Sequence, residues 1–536
     1  MRTDARPRQA AGRQTFAVGW PAPLFLAVAG GLLTETAFPG KSWWAMAYVG
    51  IALLSLSLDG LSIRRGFVVG GLFGLAFFLP HLWWAEVAVG GPIGWLALAL
   101  LQSSAVALLG AAAAAARRLP AVRRHALFEV LVFAVLWVAV EQLRSRVPFG
   151  GFPWGLLAFS QNDSPLLGLA PLGGAPLVSA ATVAAGASLA VAVRKARGAS
   201  LRTAVVPLAA AIAVATVPGA LPLAGSSESG VLRVAAVQGN VPTRGADAMA
   251  QARAVAANHI DGTRAALQRS SAVALDLVVW PESASDIDPR TDDALGAQIS
   301  AVAREAGVPI LLGTQRFVRD VRYNDYVVWT PDEGAVDVYT KQRPVPFGEY
   351  VPFRELLRRV APAIDRIAVD MAAGTSVALV EVPIASLGRS VPIATAICFE
   401  VADDELIREA VRAGGELLVI PTNNASFGYT QESTQQLAMS RFRAAEHARA
   451  TIQVSTVGVS AIITPDGQVL DETGLFSSDQ MLEEVPLRTS LTLADRLGPW
   501  PSRAVDALAA LIVVCAAVRS LQGRSRWLIR TLARQG

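Results

Sequence analysis

The chain has 536 residues, of which 53% are hydrophobic and only 17% charged, with a formal net charge of +4. One water-soluble domain is excluded, because so much apolar side chain exceeds what a single core buries and the length exceeds one domain. So modest a charge gives no support to nucleic-acid binding, and two cysteines provide no disulfide framework.

Taken in chain order, apolar stretches near 18–36, 43–58, 66–84, 93–116, 126–143, 165–193, 203–222 and 503–520 predict about eight membrane spans, since crossing a bilayer takes roughly 20 apolar residues. Seven fall in a domain over 1–222, and the last opens a terminal segment over 501–536. The first is expected to be a retained helix, because further spans rather than a cleavage pattern follow it. Basic residues cluster in the tail before the first span (Arg2, Arg6, Arg8, Arg13) and after every second span (Arg64 and Arg65; Arg117, Arg118, Arg123 and Arg124; Arg194, Lys195, Arg197 and Arg202; Arg519, Arg524, Arg526 and Arg530). Positive flanks stay in the cytoplasm. Both termini are therefore expected there, with residues 223–500 on the outer face. Trp43-Trp44 and Trp83-Trp84 read as interfacial aromatic belts. Glu35, Glu86 and Glu141 lie in or near the spans, where they sit at the interface, bind a headgroup or pair with Arg144; the interfacial reading is preferred for Glu35 and Glu86.

From Val231 the pattern changes to short strands and amphipathic helices. Strands are predicted at 232–238, 276–280, 308–314, 377–382, 391–397, 416–421 and, as a pair, 451–463, with helices at 245–269, 292–306, 402–413 and 431–449. This alternation predicts a layered α/β or α-β-β-α domain.

Within it, Cys398 ends the run Val391-Pro-Ile-Ala-Thr-Ala-Ile and precedes the helix at 402–413. A thiol near a helix N-terminus is expected to ionise more readily, from an ordinary pKa of about 8.5. Glu282 closes Leu277-Val-Val-Trp-Pro, and Lys341 closes Val338-Tyr-Thr. Three reactive side chains at strand ends can converge on one edge of a sheet. Singly, each has a plainer reading: a small buried hydrophobe, a turn cap and a solvated strand end. Ser283 and Ser285 lie outside any Gly-x-Ser-x-Gly elbow, and the four histidines show no metal-ligand spacing, so neither a serine hydrolase nor a metal is expected.

Trp280-Pro-Glu282, Lys341 followed by Val345-Pro-Phe-Gly-Glu349-Tyr-Val-Pro352, and Ile397-Cys398-Phe-Glu400 resemble the Glu, Lys and Cys motifs of the carbon-nitrogen hydrolase (nitrilase) superfamily. With the spans around them, and with Gly151-Phe-Pro-Trp154 and Phe159-Ser-Gln161, the chain resembles the apolipoprotein N-acyltransferase family. That resemblance implies a polytopic membrane domain carrying a nitrilase-like α-β-β-α sandwich in a bacterial inner membrane. It implies Cys398 as nucleophile, Glu282 as general base, Lys341 as oxyanion partner, and Glu349 and Glu400 as carboxylates orienting Lys341. It further implies a phospholipid acyl donor, a diacylated lipoprotein acceptor and no cofactor. The sequence departs from the family at Phe399, where tyrosine is expected, and at Asn424 and Ser426, where aspartate and tryptophan are frequent; these positions are expected to contact lipid or shape a loop. Lids are expected in 343–375 and around Phe427-Gly-Tyr429, with Phe347, Phe399, Asn423 and Phe427 as substrate-contacting candidates. A membrane-tethered amidase and an inactive lipoprotein-sorting scaffold are the rival readings.

Overall fold

The computed structural model describes residues 21–198, 201–241, 248–270, 274–358 and 367–532. The N-terminal arginines, the start of the first span, the first residues of the 245–269 helix and part of the 343–375 segment lie outside them. The apolar helices are α1 (Pro21–Glu35), α2 (Met46–Ser57), α3 (Ile63–His81), α5 (Pro92–Ala116), α7 (Ala126–Arg144), α8 (Ala170–Gly198), α9 (Leu201–Thr216) and α16 (Trp500–Leu532), with the short α4 (Trp84–Val89) and α6 (Pro120–Arg124) between. Among the described residues six stretches are long and apolar enough to cross a membrane, and α1 and α2 are apolar helices of 15 and 12 residues. Each of the eight expected spans thus meets an apolar helix, the first of them described only from Pro21, and α2 is stopped by the polar turn at Asp59-Gly60.

Small residues set the packing of α3 on α5. A Cβ on Gly66 would lie 2.5 Å from the Gly110 carbonyl oxygen, and one on Gly70 would lie 2.4 Å from that of Val106. Backbones can approach this closely only without side chains, which is how helices associate where lipid removes the hydrophobic drive. At one end of the bundle Arg117 and Arg194 both pair with Asp59 and Glu129, at 2.6 to 3.1 Å.

At the other end sits a sandwich of two six-stranded sheets. The first has the order β12-β1-β2-β3-β4-β5, and the second β11-β10-β9-β8-β7-β6. Its strands are β1 (Val231–Gln238), β2 (Leu277–Val279), β3 (Ile310–Val318), β4 (Val321–Thr330), β5 (Gly334–Thr340), β6 (Leu379–Ile384), β7 (Arg389–Thr395), β8 (Leu417–Thr422), β9 (Thr451–Ser455), β10 (Ala461–Ile463), β11 (Val469–Glu472) and β12 (Asp479–Pro486). Helices α10 (Ala248–Arg269) and α11 (Asp293–Ala306) cover the first sheet, and α13 (Asp404–Arg412) and α14 (Glu432–His447) the second. The one-turn α12 (Arg354–Leu357) and α15 (Leu493–Leu497) complete the set. In β1, Leu232, Val234 and Ala236 pack between the sheets, whereas Ala235 and Val237 pack under the helices. Burial on both faces explains why these strands read as continuous apolar runs.

The hairpin β3–β4, the strand β4 and the closing strand β12 are not anticipated by the sequence pattern. In β4 the polar pair Asn324-Asp325 interrupts the apolar run, yet both side chains are buried, Asp325 by ion pairs with Arg290 and Arg316 at 2.7 Å each.

Helix α14 stitches the sandwich to the bundle. Gln435 Oε1 accepts from the indoles of Trp84 (3.1 Å) and Trp154 (2.6 Å), and its Nε2 donates to the His81 carbonyl (3.1 Å). Further along, Asn162 donates to the Ala438 carbonyl (2.8 Å), Arg441 pairs with Asp163 (2.7 Å), and Glu446 accepts from the Ala175 amide (3.2 Å). α8 breaks at Gly173-Gly174, and a Cβ on Gly174 would fall 2.2 Å from Glu446 Oε1.

Candidate active site

Glu282 follows β2, Lys341 follows β5 and Cys398 follows β7. The first two strands belong to one sheet and the third to the other. The expectation of a single sheet edge is therefore corrected: the three side chains meet where the strand ends of both sheets face each other. Lys341 Nζ lies 3.5 Å from Glu282 Oε1 and 2.6 Å from Glu349 Oε1. Asn324 Nδ2, from the unanticipated β4, donates to Glu282 Oε1 at 2.6 Å.

Cys398 does not sit at a helix N-terminus as expected. It opens a 3-10 turn over Cys398–Ala402 with φ +55, a left-handed conformation that costs a non-glycine residue of order 1 to 3 kcal/mol. α13 begins beyond that turn, and its free amides are taken by the Asp403 side chain, which accepts from Glu405 N (3.0 Å) and Leu406 N (3.2 Å). Burial and then the Glu282 charge push the Cys398 thiol well above its ordinary value, against the pull of Lys341. The sulfur therefore rests as a thiol.

Burial raises the Glu282 carboxyl above the usual carboxylate range, while Lys341 pulls it down. Burial pulls the Lys341 ammonium down, but Glu349 and then Glu282 outweigh it, so its pKa ends up raised and the positive charge is secure.

The two supporting carboxylates differ. Glu349 touches Lys341 as expected, and its other oxygen accepts from Val345 N at 2.7 Å, anchoring the loop that follows. Glu400 instead holds backbone. It accepts from Gln342 N (2.8 Å), Arg343 N (2.9 Å), Ile397 N (2.8 Å) and the Tyr339 hydroxyl (2.9 Å). It thereby ties the chain after Lys341 to the chain before Cys398. Burial lifts its pKa to about 7.

Phe399 stacks on Trp154 (centroids 6.1 Å apart, 5° between planes) and on Phe152 (5.6 Å, 24°), so an apolar ring fits the position where tyrosine is expected. The Phe152–Gly155 segment is shaped by buried Arg144, which donates to the carbonyls of Phe152 (3.1 Å), Trp154 (2.7 Å) and Gly155 (2.9 Å). Glu141 and Arg144 attract each other without a close ion pair, and the Glu141 carboxylate accepts from Trp137 Nε1 and Leu157 N, each at 2.9 Å.

Among the lid candidates, Phe347 and Phe353 are exposed and each meets Phe149 of the membrane domain edge to face, at 5.7 and 5.9 Å. Phe427 packs edge to face on Trp84 at 5.3 Å. Asn423 braces its own loop, its Oδ1 accepting from Thr456 Oγ1 (2.9 Å) and Ala425 N (3.2 Å). Asn424 is 2% exposed, and its side chain braces the loop after β8 through hydrogen bonds to Thr422, Ser455, Glu432 and Gln436.

Asp404, Glu446 and His447 gather closely enough to suggest a cation site. Arg443 already occupies it, paired with Glu446 and, at 3.2 Å, with Asp404.

Comparison with known proteins agrees with this architecture. The apolipoprotein N-acyltransferase N-terminal domain profile matches residues 30–188, and the carbon-nitrogen hydrolase profile matches residues 233–490. The apolipoprotein N-acyltransferase of Mycolicibacterium smegmatis is 36% identical over 505 residues, covering 89% of this chain and 82% of that one. The Pseudomonas putida enzyme of the same name is 32% identical, covering 91% and 96%. A nitrilase-superfamily amidase structure from Nesterenkonia AN1 aligns at 16% identity over 53% of this chain and 99% of that one, with a TM-score of 0.38. With a membrane bundle and a nitrilase-like sandwich each matched in turn, and relatives aligned across both, this chain belongs to the apolipoprotein N-acyltransferase family.

Proposed function

We propose that Cys398 attacks the ester carbonyl of a phospholipid while Glu282 takes the thiol proton. Lys341, fixed by Glu349, stands beside the oxyanion, and backbone amides after Cys398 complete its stabilisation. As the tetrahedral intermediate collapses, Glu282 returns that proton to the departing glycerol oxygen, which releases lysophospholipid, regenerates the carboxylate and leaves an acyl thioester; one hard displacement is thereby divided into two easier ones. The α-amine of a diacylglyceryl-cysteine at a lipoprotein N-terminus then attacks the thioester. Glu282 accepts the amine proton in turn, a role worth roughly 10² to 10⁴ in rate.

The observation that carries this reading is the meeting of Glu282, Lys341 and Cys398 beside Phe399, Phe152 and Trp154, where the sandwich abuts the bundle. An acyl chain delivered there avoids water, at about 0.8 kcal/mol for every methylene left buried. A hydrolase of small amides would gain nothing from that placement. The clustering of Arg117 and Arg194 at the opposite end of the helices supports a cytoplasmic location for that end and an outer location for the site.

Intact-mass measurement of the full chain incubated with phospholipid tests the first half-reaction. The expected result is an acyl-sized adduct and released lysophospholipid, both lost in Cys398→Ala. Cys398-dependent hydrolysis of small amides without any lipid adduct would overturn the reading in favour of an amidase.

A further inference from the structure

We propose that a relay of side-chain amides beside the nucleophile aims an N–H at Cys398 Sγ: Gln436 contacts the sulfur, and Asn424, held by Ser455 and Glu432, is the positioning residue that orients it. This rests on the reading of Cys398 as nucleophile.

Gln436 Nε2 lies 3.7 Å from Cys398 Sγ, within reach of a hydrogen bond to sulfur, and its Oε1 lies 2.8 Å from Asn424 Nδ2. The same Nδ2 lies 2.7 Å from Glu432 Oε2. On its other side, Asn424 Oδ1 accepts from Thr422 Oγ1 (2.8 Å) and Ser455 Oγ (2.6 Å). Gln436, Asn424, Glu432 and Ser455 are all buried, so water cannot substitute for any of these partners.

An amide can point either way, and a carbonyl turned toward the sulfur would oppose a thiolate instead of stabilising it. The direction is set by the two buried hydroxyls that meet Asn424. Ser455 Oγ accepts from Gly458 N at 2.8 Å with one lone pair, and its proton, like that of Thr422 Oγ1, goes to Asn424 Oδ1; turning the amide would take away the acceptor of both protons. With Oδ1 accepting, Nδ2 must donate, Gln436 Oε1 must accept, and Gln436 Nε2 is left facing Sγ. The two hydroxyls thereby set the polarity of a chain ending at the nucleophile, and aligned bonds of this kind reinforce one another. Gly458 is required for it: a Cβ there would fall 2.2 Å from Asn424 Oδ1.

The charged groups around the sulfur come from every neighbouring element. They are Glu282 after β2, Lys341 after β5, Glu349 in the following loop, Glu400 in the turn of Cys398 itself and Glu432 on α14. Lys341 is the only cation among these groups, and the Gln436 N–H adds a neutral donor. It stabilises the developing thiolate without drawing Lys341 away from the carbonyl oxygen.

The test is the pH dependence of Cys398 alkylation by iodoacetamide in the detergent-solubilised full chain, read from the mass of the Cys398 peptide so that Cys515 does not interfere. This readout needs no lipid substrate, so it stands or falls separately from acyl transfer, which Cys398→Ala decides. Gln436→Met, similar in length but without a donor, is expected to slow alkylation about tenfold below the midpoint and to raise the midpoint by about one unit. Asn424→Ala is expected to shift it the same way by less, and to add nothing in the Gln436→Met background. A wild-type midpoint in Gln436→Met, or additive shifts in the double variant, would overturn the relay. Should Gln436→Met not fold, an unchanged midpoint in Asn424→Ala overturns it and a raised one supports it.

Discussion

Replacing Asn324 by leucine removes the amide that donates to Glu282 Oε1 at 2.6 Å while nearly preserving the volume of a buried side chain. A hydrogen bond to a charged group is worth about 1.5 to 3 kcal/mol. That bond favours the ionised carboxylate, so its loss raises the pKa of Glu282 further, by about one to two units at 1.36 kcal/mol each. The sign follows from the proposed role. A general base acts when ionised, so raising its pKa moves the acid limb of the rate profile to higher pH. Below the wild-type midpoint Asn324→Leu is expected to acylate about 10- to 100-fold more slowly, and well above the shifted midpoint it should recover. The assay is single-turnover formation of the Cys398 thioester from phospholipid, followed by mass across pH 5 to 10. An equal loss at all pH values with an unmoved midpoint would mean that Asn324 supports packing alone and that the proposed base is misassigned.

Three further outcomes are expected. Glu400→Gln turns an amide N–H toward Ile397 N or toward the Gln342 and Arg343 amides, stranding at least one buried donor at about 1 to 3 kcal/mol; thermal unfolding should fall accordingly, and an unchanged melting temperature would contradict the clamp. Phe149→Ala deletes both edge-to-face contacts to Phe347 and Phe353, about 0.5 to 1.5 kcal/mol each; it should alter steady-state phospholipid turnover, and unchanged turnover would remove these aromatics from the lid. Burial lifts the Glu432 carboxyl to about 8 from an ordinary 4.5. A carboxyl raised in this way costs no stability below its unfolded pKa and most above its folded one. Glu432→Gln should therefore gain on wild type as pH rises through that window, by at most about 5 kcal/mol, and an equal melting-temperature difference at pH 5 and pH 9 would refute it.

The reactive trio is legible in the sequence because each member ends an apolar strand, where a charged residue or a thiol stands out against its neighbours. What surrounds it is hidden for the opposite reason. Asn324 and Asp325 make β4 look too polar for a buried strand, although Asn324 is needed to bond Glu282 and Asp325 to compensate two arginines. α14 shows no apolar stripe because Glu432, Gln435, Gln436 and Arg443 are buried polar groups satisfied by partners distant in the chain. Local pattern carries no information about such pairings, so the sequence alone leaves these residues looking like an exposed face. The reading of Cys398 at a helix N-terminus fails similarly: the sequence shows that a helix follows, but not that a left-handed residue and a 3-10 turn intervene.

On α14, Gln435 grips the tryptophans and the histidine backbone of the bundle, and its neighbour Gln436 faces the sulfur. Adjacent residues on one rigid rod therefore couple membrane and nucleophile with almost no slack. A hinge that swung the sandwich off the bilayer to exchange two bulky lipids would have to break the bonds of Gln435, Ala438, Arg441 and Glu446 together, and would drag the nucleophile's surroundings with it. On the proposed function, so fixed a bench leaves the traffic of donor and acceptor to the short aromatic loops carrying Phe149, Phe347 and Phe353.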